Sequence, residues 1–348
     1  MLEDDAFLDH SASEWPAWGT LPLDWFMIDN WEAETSVTDE EQRANLISRF
    51  ATAGSKVRVR YAERTAEDTE VPTPTEDQIS NILQPSRSTV LRHVAQQLNE
   101  YSGPMDFVWL RTDYDHEEQH QAFVDSIDLP EVEFYEHLSY EGKILADRRY
   151  YDFGINQWQQ VFSCLPEILR TKSAYDVLSL HDRRRELLAR MIGMPDDPRP
   201  ATRPSRQFEP GSLPARRRAL LDEEEPDDGE LQAVISEYYH RYLEPDNELL
   251  QNVVSRYHHR YASRFLLVED AETFTTEPNR FDAMWLDDRG NVIRNNRLTA
   301  QDVCYYISIV GEGMGPEDYT FMEATVGPKY APGGEYAPPF VHAVTSNN

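Results

Sequence analysis

The stretch His116-Glu117-Glu118-Gln119-His120 is the part of the chain best equipped for chemistry. Histidines four positions apart lie one helical turn apart, so both imidazoles can reach one zinc ion while the glutamate between them activates a bound water. On that reading His116 and His120 are metal ligands, Glu117 is the catalytic residue, and zinc or iron is the cofactor. Glu136 or Glu141, on either side of His137, supplies the third ligand. His116 and His120 share a helical face with Phe123 and Ile127, which turns the pair toward the interior. Three features count against the site, the first being that Glu136 and His137 fall in a predicted strand. Glu118 and Gln119 put polar groups at positions such a helix usually buries, and Asp113 and Asp115 read as N-caps, which places His116 in a fraying first turn.

The seven residues His116–Ala122, HEEQHQA, also resemble the His-x-x-x-His-x-Glu iron-binding motif of ergothioneine-synthase-type helix bundles. The resemblance implies iron held by His116 and His120. It covers these residues alone, with Ala122 where the motif has Glu, so that family's activity is not carried over.

A second constellation is an internal repeat. Val234–Tyr242 is echoed by Val253–Tyr261, identical at six of nine aligned positions and offset by nineteen residues, with Pro245 between the copies. Each copy interleaves aromatic and cationic residues on what should be a helix. Tyr238, Tyr242, Tyr257, Tyr261, Arg241 and Arg260 therefore form a candidate contact surface for a peptide, an anionic ligand or a partner subunit. The competing reading makes Val, Ile and Tyr the core face, with His and Arg paired to carboxylates.

The elements that must position these residues follow from periodicity and punctuation. Thr38 with Glu41, and Thr75 with Gln78, form capping-box patterns ahead of apolar runs, and Pro85 ends the second helix. The tryptophan- and proline-rich segment Trp15–Trp31 reads as irregular chain packed on a core. Val90, Leu91, Val94 and Leu98 make one helical stripe. Phe107–Leu110, a helix over Asp115–Ile127 and a strand over Val132–Glu136 compose a βαβ-like unit. Helices are expected over Ile155–Arg170 and Ala174–Ile192. Phe265–Val268 and Phe281–Leu286 read as strands, and Asp287–Asn291 as the turn of a hairpin. Thr299 with Asp302 caps either a helix or a strand over Cys304–Val310. The Gly/Pro-rich end, with Tyr319, Phe321, Tyr330, Tyr336 and Phe340, reads as a docking tail, on this chain or on a neighbour.

The expected fold class is α+β: a mainly helical region over 1–194, a linker over 195–230 and a smaller unit over 231–348 with a helical hairpin, short antiparallel strands and the tail. Seven prolines fall between Pro195 and Pro226, with arginines from Arg199 to Arg218 followed by an acidic block.

Composition bounds the partners. The chain has 63 Asp and Glu against 33 Lys and Arg, a net charge of −30, and only four lysines. Such a surface repels phosphate backbones and acidic membranes, so nucleic acid is disfavoured except through Arg199–Arg218. The acid excess suits concentrated salt, where charges are screened within about 3 Å at 1 M, and an Arg-favouring genome equally accounts for the missing lysines. Two cysteines form no metal or disulfide pattern, the acidic amino terminus is unlike a signal peptide, and no apolar run is long enough to span a membrane. An intracellular protein is expected, as part of a particle if it assembles. The leading expectation is a non-enzymatic interaction or assembly protein, the rival a metal-dependent hydrolase on the HEEQH helix. An acidic mimic that occupies a nucleic-acid-binding partner stands third.

Overall fold

A computed structural model describes residues 15–66, 73–100, 107–127, 144–154, 156–169, 184–185, 188–189, 208–223, 225–242, 248–311, 321, 323–331 and 333–338. The class is α+β, with helices dominating the amino-terminal half and most strands in the carboxy-terminal half.

The centre is a six-stranded mixed sheet, ordered β2-β1-β3-β4-β5-β6. The strands are β1 Phe107–Arg111, β2 Ile144–Leu145, β3 Arg264–Glu269, β4 Phe281–Leu286, β5 Val292–Leu298 and β6 Thr325–Val326. β2 and β3 both run parallel to β1, and the rest of the sheet is antiparallel. β1 and β3 are buried at every position, as continuous apolar runs covered on both faces should be. The sheet draws strands from both sides of residues 195–230, so those two parts of the chain share one core.

Side chains alternate across the strands and build two apolar layers. Val108, Leu110, Leu266, Val268, Met284 and Leu286 pack against helices of the amino-terminal half. The amino-terminal helices are α1 Pro22–Asp29, α2 Asp39–Thr52, α3 Ser55–Ala66, α4 Glu76–Gln78 with a π-helical turn over Ile79–Leu83, and α5 Thr89–Glu100. α2 and α5 supply Ala51, Leu91, Val94, Ala95 and Leu98 to this layer, while α1, α2, α3 and the π-helical turn pack in a separate cluster around Phe26 and Phe50. The other face carries Phe107, Trp109, Phe265, Leu267, Phe281 and Trp285. It is covered by α6 Glu117–Ile127 and by a helix over Ala300–Gly311, labelled α12 below.

Both capping boxes form. The Thr38 hydroxyl accepts from the Glu41 amide while Glu41 accepts from the Thr38 amide, and Thr75 and Gln78 repeat the exchange. The segment expected to be irregular instead contains α1. Pro22 sits in its first turn, and Asp24 Oδ2 accepts from the Gly19 and Leu21 amides, which holds the entry to the helix. In place of one helix over 155–170 there are short pieces, a 3₁₀ turn Trp158–Gln160, α8 Val161–Cys164 and a 3₁₀ turn Pro166–Ile168, preceded by α7 Arg148–Tyr151. Pro166 breaks the run by withholding a backbone donor. The expected strand Val132–Glu136 lies outside the described residues, and β2 at Ile144–Leu145 completes the βαβ unit.

Within the segment expected to be a linker, α9 Leu213–Asp222 buries Leu213, Pro214, Arg217 and Leu220. Arg217 donates to the Leu188 carbonyl, Arg216 pairs with Glu237 and Arg218 with Asp222, so these three arginines are engaged within the chain. Arg199, Arg203 and Arg206 lie outside the described residues. The repeat forms α10 Asp228–Tyr242 and α11 Glu248–Tyr261, and α12 is helical throughout, capped by Thr299 and Asp302. No described helix is long and apolar enough to cross a membrane.

The tail docks on its own chain where it is described. Phe321 and Tyr330 are fully buried, the Tyr330 hydroxyl donates to Asp287, and Arg294 donates to the Phe321 carbonyl. Gly327 makes this possible, because a Cβ there would sit 1.9 Å from the Val292 carbonyl oxygen. Beneath the tail, His258 of α11 accepts from Arg294 Nε at 3.1 Å and is 1% exposed. Burial, and then the adjacent Arg294 charge, pull its pKa down from 6.5 to about 3. The neutral ring is therefore the folded form. Its contribution to stability is complete above the unfolded value near 6.5 and is lost as pH falls toward 3. Between pH 7 and 5.5 the wild type is expected to lose about 1 kcal/mol more than His258→Gln, measured by urea unfolding at each pH. Parallel losses in the two proteins would show that His258 is not the titrating group.

Candidate functional site

The parallel strands β2, β1 and β3 all end at one edge of the sheet. β1 is followed by α6, which leads towards β2 on one side, while β3 lies on the other. In open α/β sheets, ligands bind outside the carboxyl ends of the strands where the connections diverge in this way. Here that edge holds a cleft of about 140 Å³, lined from the β1 end by Thr112, Asp113, Tyr114 and Asp115. Arg148 and Asp152 line it from beyond β2, and Asp270 and Glu272 from beyond β3.

Beneath the cleft lies a buried polar network. Arg111 and Glu269, the last residues of β1 and β3, are register partners and both 0% exposed. Glu269 accepts from Trp109 Nε1 at 2.9 Å, lies 2.9 Å from His120 Nδ1 and pairs with Arg111 Nε at 3.5 Å. Arg111 extends the network outward, donating to Glu117 at 2.6 Å and to the Asp113 carbonyl at 2.9 Å. Trp109, two residues before Arg111, points to the same face, and so both reach the one carboxylate. A buried acid and a buried base at adjacent strand ends satisfy one another, which the interior requires.

These contacts locate each residue of the HEEQH segment. His120 is inside, against Glu269 and the Trp109 ring. Glu117 faces outward with its side chain 56% exposed and is held by Arg111. His116 immediately precedes α6, its Nδ1 2.5 Å from Asp113 Oδ2 and its ring beside Phe274. The two imidazoles thus engage separate carboxylates. Among the described residues no group of three or more His, Cys, Asp or Glu is arranged to hold a metal ion. Glu136, His137 and Glu141 lie outside those residues. The donors described do not assemble a zinc or iron centre, and Glu117 is committed to a guanidinium.

The Asp113–His116 pair does have the form of an acid–base unit. A carboxylate can only accept, so the ring donates to Asp113 through Nδ1, which leaves Nε2 as the acceptor nitrogen of the neutral tautomer. The His116 side chain is 38% exposed, whereas Asp113 is 10% exposed and lines the cleft. Across the cleft, Asp270 receives a two-bond clamp from Arg297, whose other contact is Glu272. These ties keep the carboxylates at the β3 end in place.

The aromatic repeat is placed differently. Tyr238 is 0% and Tyr257 8% exposed, so both rings are core, while Tyr261 is half-buried and Arg260 exposed. The Tyr257 hydroxyl donates to the Tyr261 oxygen at 3.0 Å. Arg241 and Tyr242 lie in α10, in a part whose side chains are outside the description.

Sequence reading took Asp113 for a helix cap and passed over Arg111, Arg148, Glu269 and Asp270. A signal existed in the charged residues that end each apolar run, Arg111 after Phe107–Leu110 and Glu269 after Phe265–Val268. Using it required knowing that two strands about 150 residues apart run side by side. Compared with protein-family models, curated proteins and solved structures, the chain matches none, so its function must be argued from this site.

Proposed function

We propose that the protein acts on a small polar molecule held at the carboxyl ends of β1 and β3, with His116 as the proton-transferring base and Asp113 as the group that orients it. The observation that carries this reading is the Asp113–His116 pair, whose aspartate lines a cleft at the sheet's switch point. His116 takes a proton through Nε2 from water or a ligand hydroxyl, and Asp113 stabilises the resulting imidazolium. The cleft is well below the ~300–1,000 Å³ of sites for drug-sized ligands, which favours a small molecule or one end of a larger one. The assembly reading has less support, because Tyr238, Tyr257, Phe321 and Tyr330 are used inside the fold.

The chemistry is testable without a known substrate. Diethyl pyrocarbonate acylates reactive imidazole nitrogens, and peptide mass spectrometry follows each histidine. His116 is expected to react faster than His93, His120, His258 or His259, and Asp113→Asn to slow it roughly tenfold or more, since removing the carboxylate behind a catalytic imidazole frees the ring and its tautomer. Labelling at His116 that matches His259 and ignores Asp113 would remove the proposal.

A further inference from the structure

We infer that Asp152 and the face of Tyr114 form a subsite for a guanidinium or alkylammonium group, and that Arg148 is a tethered cation that fills this subsite until a ligand displaces it. The inference rests on the cleft being a ligand site, but not on the chemistry of His116. Arg148 Nε donates to Asp152 Oδ2 at 3.0 Å, and its Cζ lies 5.6 Å from the Tyr114 ring centroid. All three residues line the cleft. A guanidinium on a carboxylate and an aromatic face is how proteins hold cationic nitrogen in general. The protein therefore displays, with one of its own side chains, the ligand chemistry this corner accepts.

The seat is fixed and the occupant is loosely held. Tyr114 is anchored by its hydroxyl, which donates to the Arg111 carbonyl at 3.0 Å, and the buried Arg111 guanidinium lies 4.8 Å from its ring. Arg148, by contrast, is 63% exposed in side chain, and its ion pair runs from the first residue of the short helix α7 to the C-cap residue, Asp152. Exposed pairs of this kind hold weakly, and a solvent-facing cation over the half-buried Tyr114 ring adds little more. An arriving cation meets Asp113, Asp115, Asp152, Asp270 and Glu272, and among the described residues Arg148 is the one basic side chain of the lining. Once Arg148 swings out, Asp152 has lost that cation, and a ligand nitrogen takes its place.

Methylguanidinium is a suitable probe, titrated into the full chain in 0.5 M salt, so that diffuse attraction to the acidic surface is screened. Binding is read from NMR shifts of the Tyr114 ring. Arg148→Ala is expected to tighten binding about five- to tenfold, because the internal competitor is gone. Adding Asp152→Asn to that variant should abolish the gain. Arg148 and Asp152 are both exposed, and thermal melts of the variants check that the fold is kept. Equal affinity in wild type and Arg148→Ala, or binding unchanged by Asp152→Asn, would overturn the inference. So would shifts that spread over the surface without favouring Tyr114. These measurements read binding alone, so they can fail while His116 reacts as expected, and the reverse.

Discussion

Glu269→Ala is expected to lower stability by about 3–5 kcal/mol, the range for removing one partner of a buried charge pair. The substitution takes the buried carboxylate away from three groups, the Arg111 guanidinium, the Trp109 indole N–H and His120 Nδ1, while Arg111 keeps Glu117 and the Asp113 carbonyl. Water cannot replace the carboxylate, since Arg111 is 0% exposed and His120 only 5%. Glu269→Gln keeps an acceptor of similar shape without the charge and should cost less than the alanine variant. Equilibrium urea unfolding of the two variants and wild type provides the measurement. A loss below about 1 kcal/mol in Glu269→Ala would mean that the network does not hold β1, β3 and α6 together. The same variant should loosen the cleft, because Arg111 also anchors the Asp113 carbonyl and the Tyr114 ring.

Asp24→Ala should be comparably damaging, and far from the cleft. Asp24 Oδ1 lies 2.5 Å from Arg92 Nη1, with side chains 4% and 2% exposed, and Asp24 Oδ2 accepts from two amides at the start of α1. Arg92 also donates to the Ala17 carbonyl at 2.8 Å and stacks over Trp18, so it ties α5 to the chain entering α1. Removing Asp24 leaves that charge buried without its carboxylate, again about 3–5 kcal/mol. Asp24→Leu with Arg92→Met removes both charges and is expected to recover much of the loss, since replacing a buried ion pair by apolar side chains is often neutral. Failure of the double variant to improve on Asp24→Ala, with each unfolding midpoint measured by urea, would show that the capping of the two amides dominates over the ion pair.

Local order was well legible because local physics produces it. The Thr38 and Thr75 boxes, the α5 stripe, the β4–β5 hairpin around Gly290 and the Thr299 cap depend on residues within a few positions of one another. Misread segments are those where a neighbour in space decides. α1 forms at a proline-rich stretch because Arg92, 68 residues away, pairs with Asp24. α9 orders part of a proline- and arginine-rich segment because Leu213 and Leu220 find apolar cover and Arg217 finds the Leu188 carbonyl.

What the amino-acid sequence by itself determined is the acidic surface, the helical and strand periodicities, the helical character of both repeat copies and the placing of two histidines at the start of one helix. Spacing along a helix brings His116 and His120 to neighbouring turns, but the carboxylates that meet them depend on where other segments pass. Tertiary structure alone decided that Asp113 takes the first imidazole and Glu269 the second, 149 residues further along the chain. It also decided that Tyr238 and Tyr257 of the repeat and Phe321 and Tyr330 of the tail face inward. The physical reason lies in the sheet: parallel β1 and β3 become neighbours only when strands distant in sequence pair, and that pairing both buries Arg111 with Glu269 and opens the cleft at their ends.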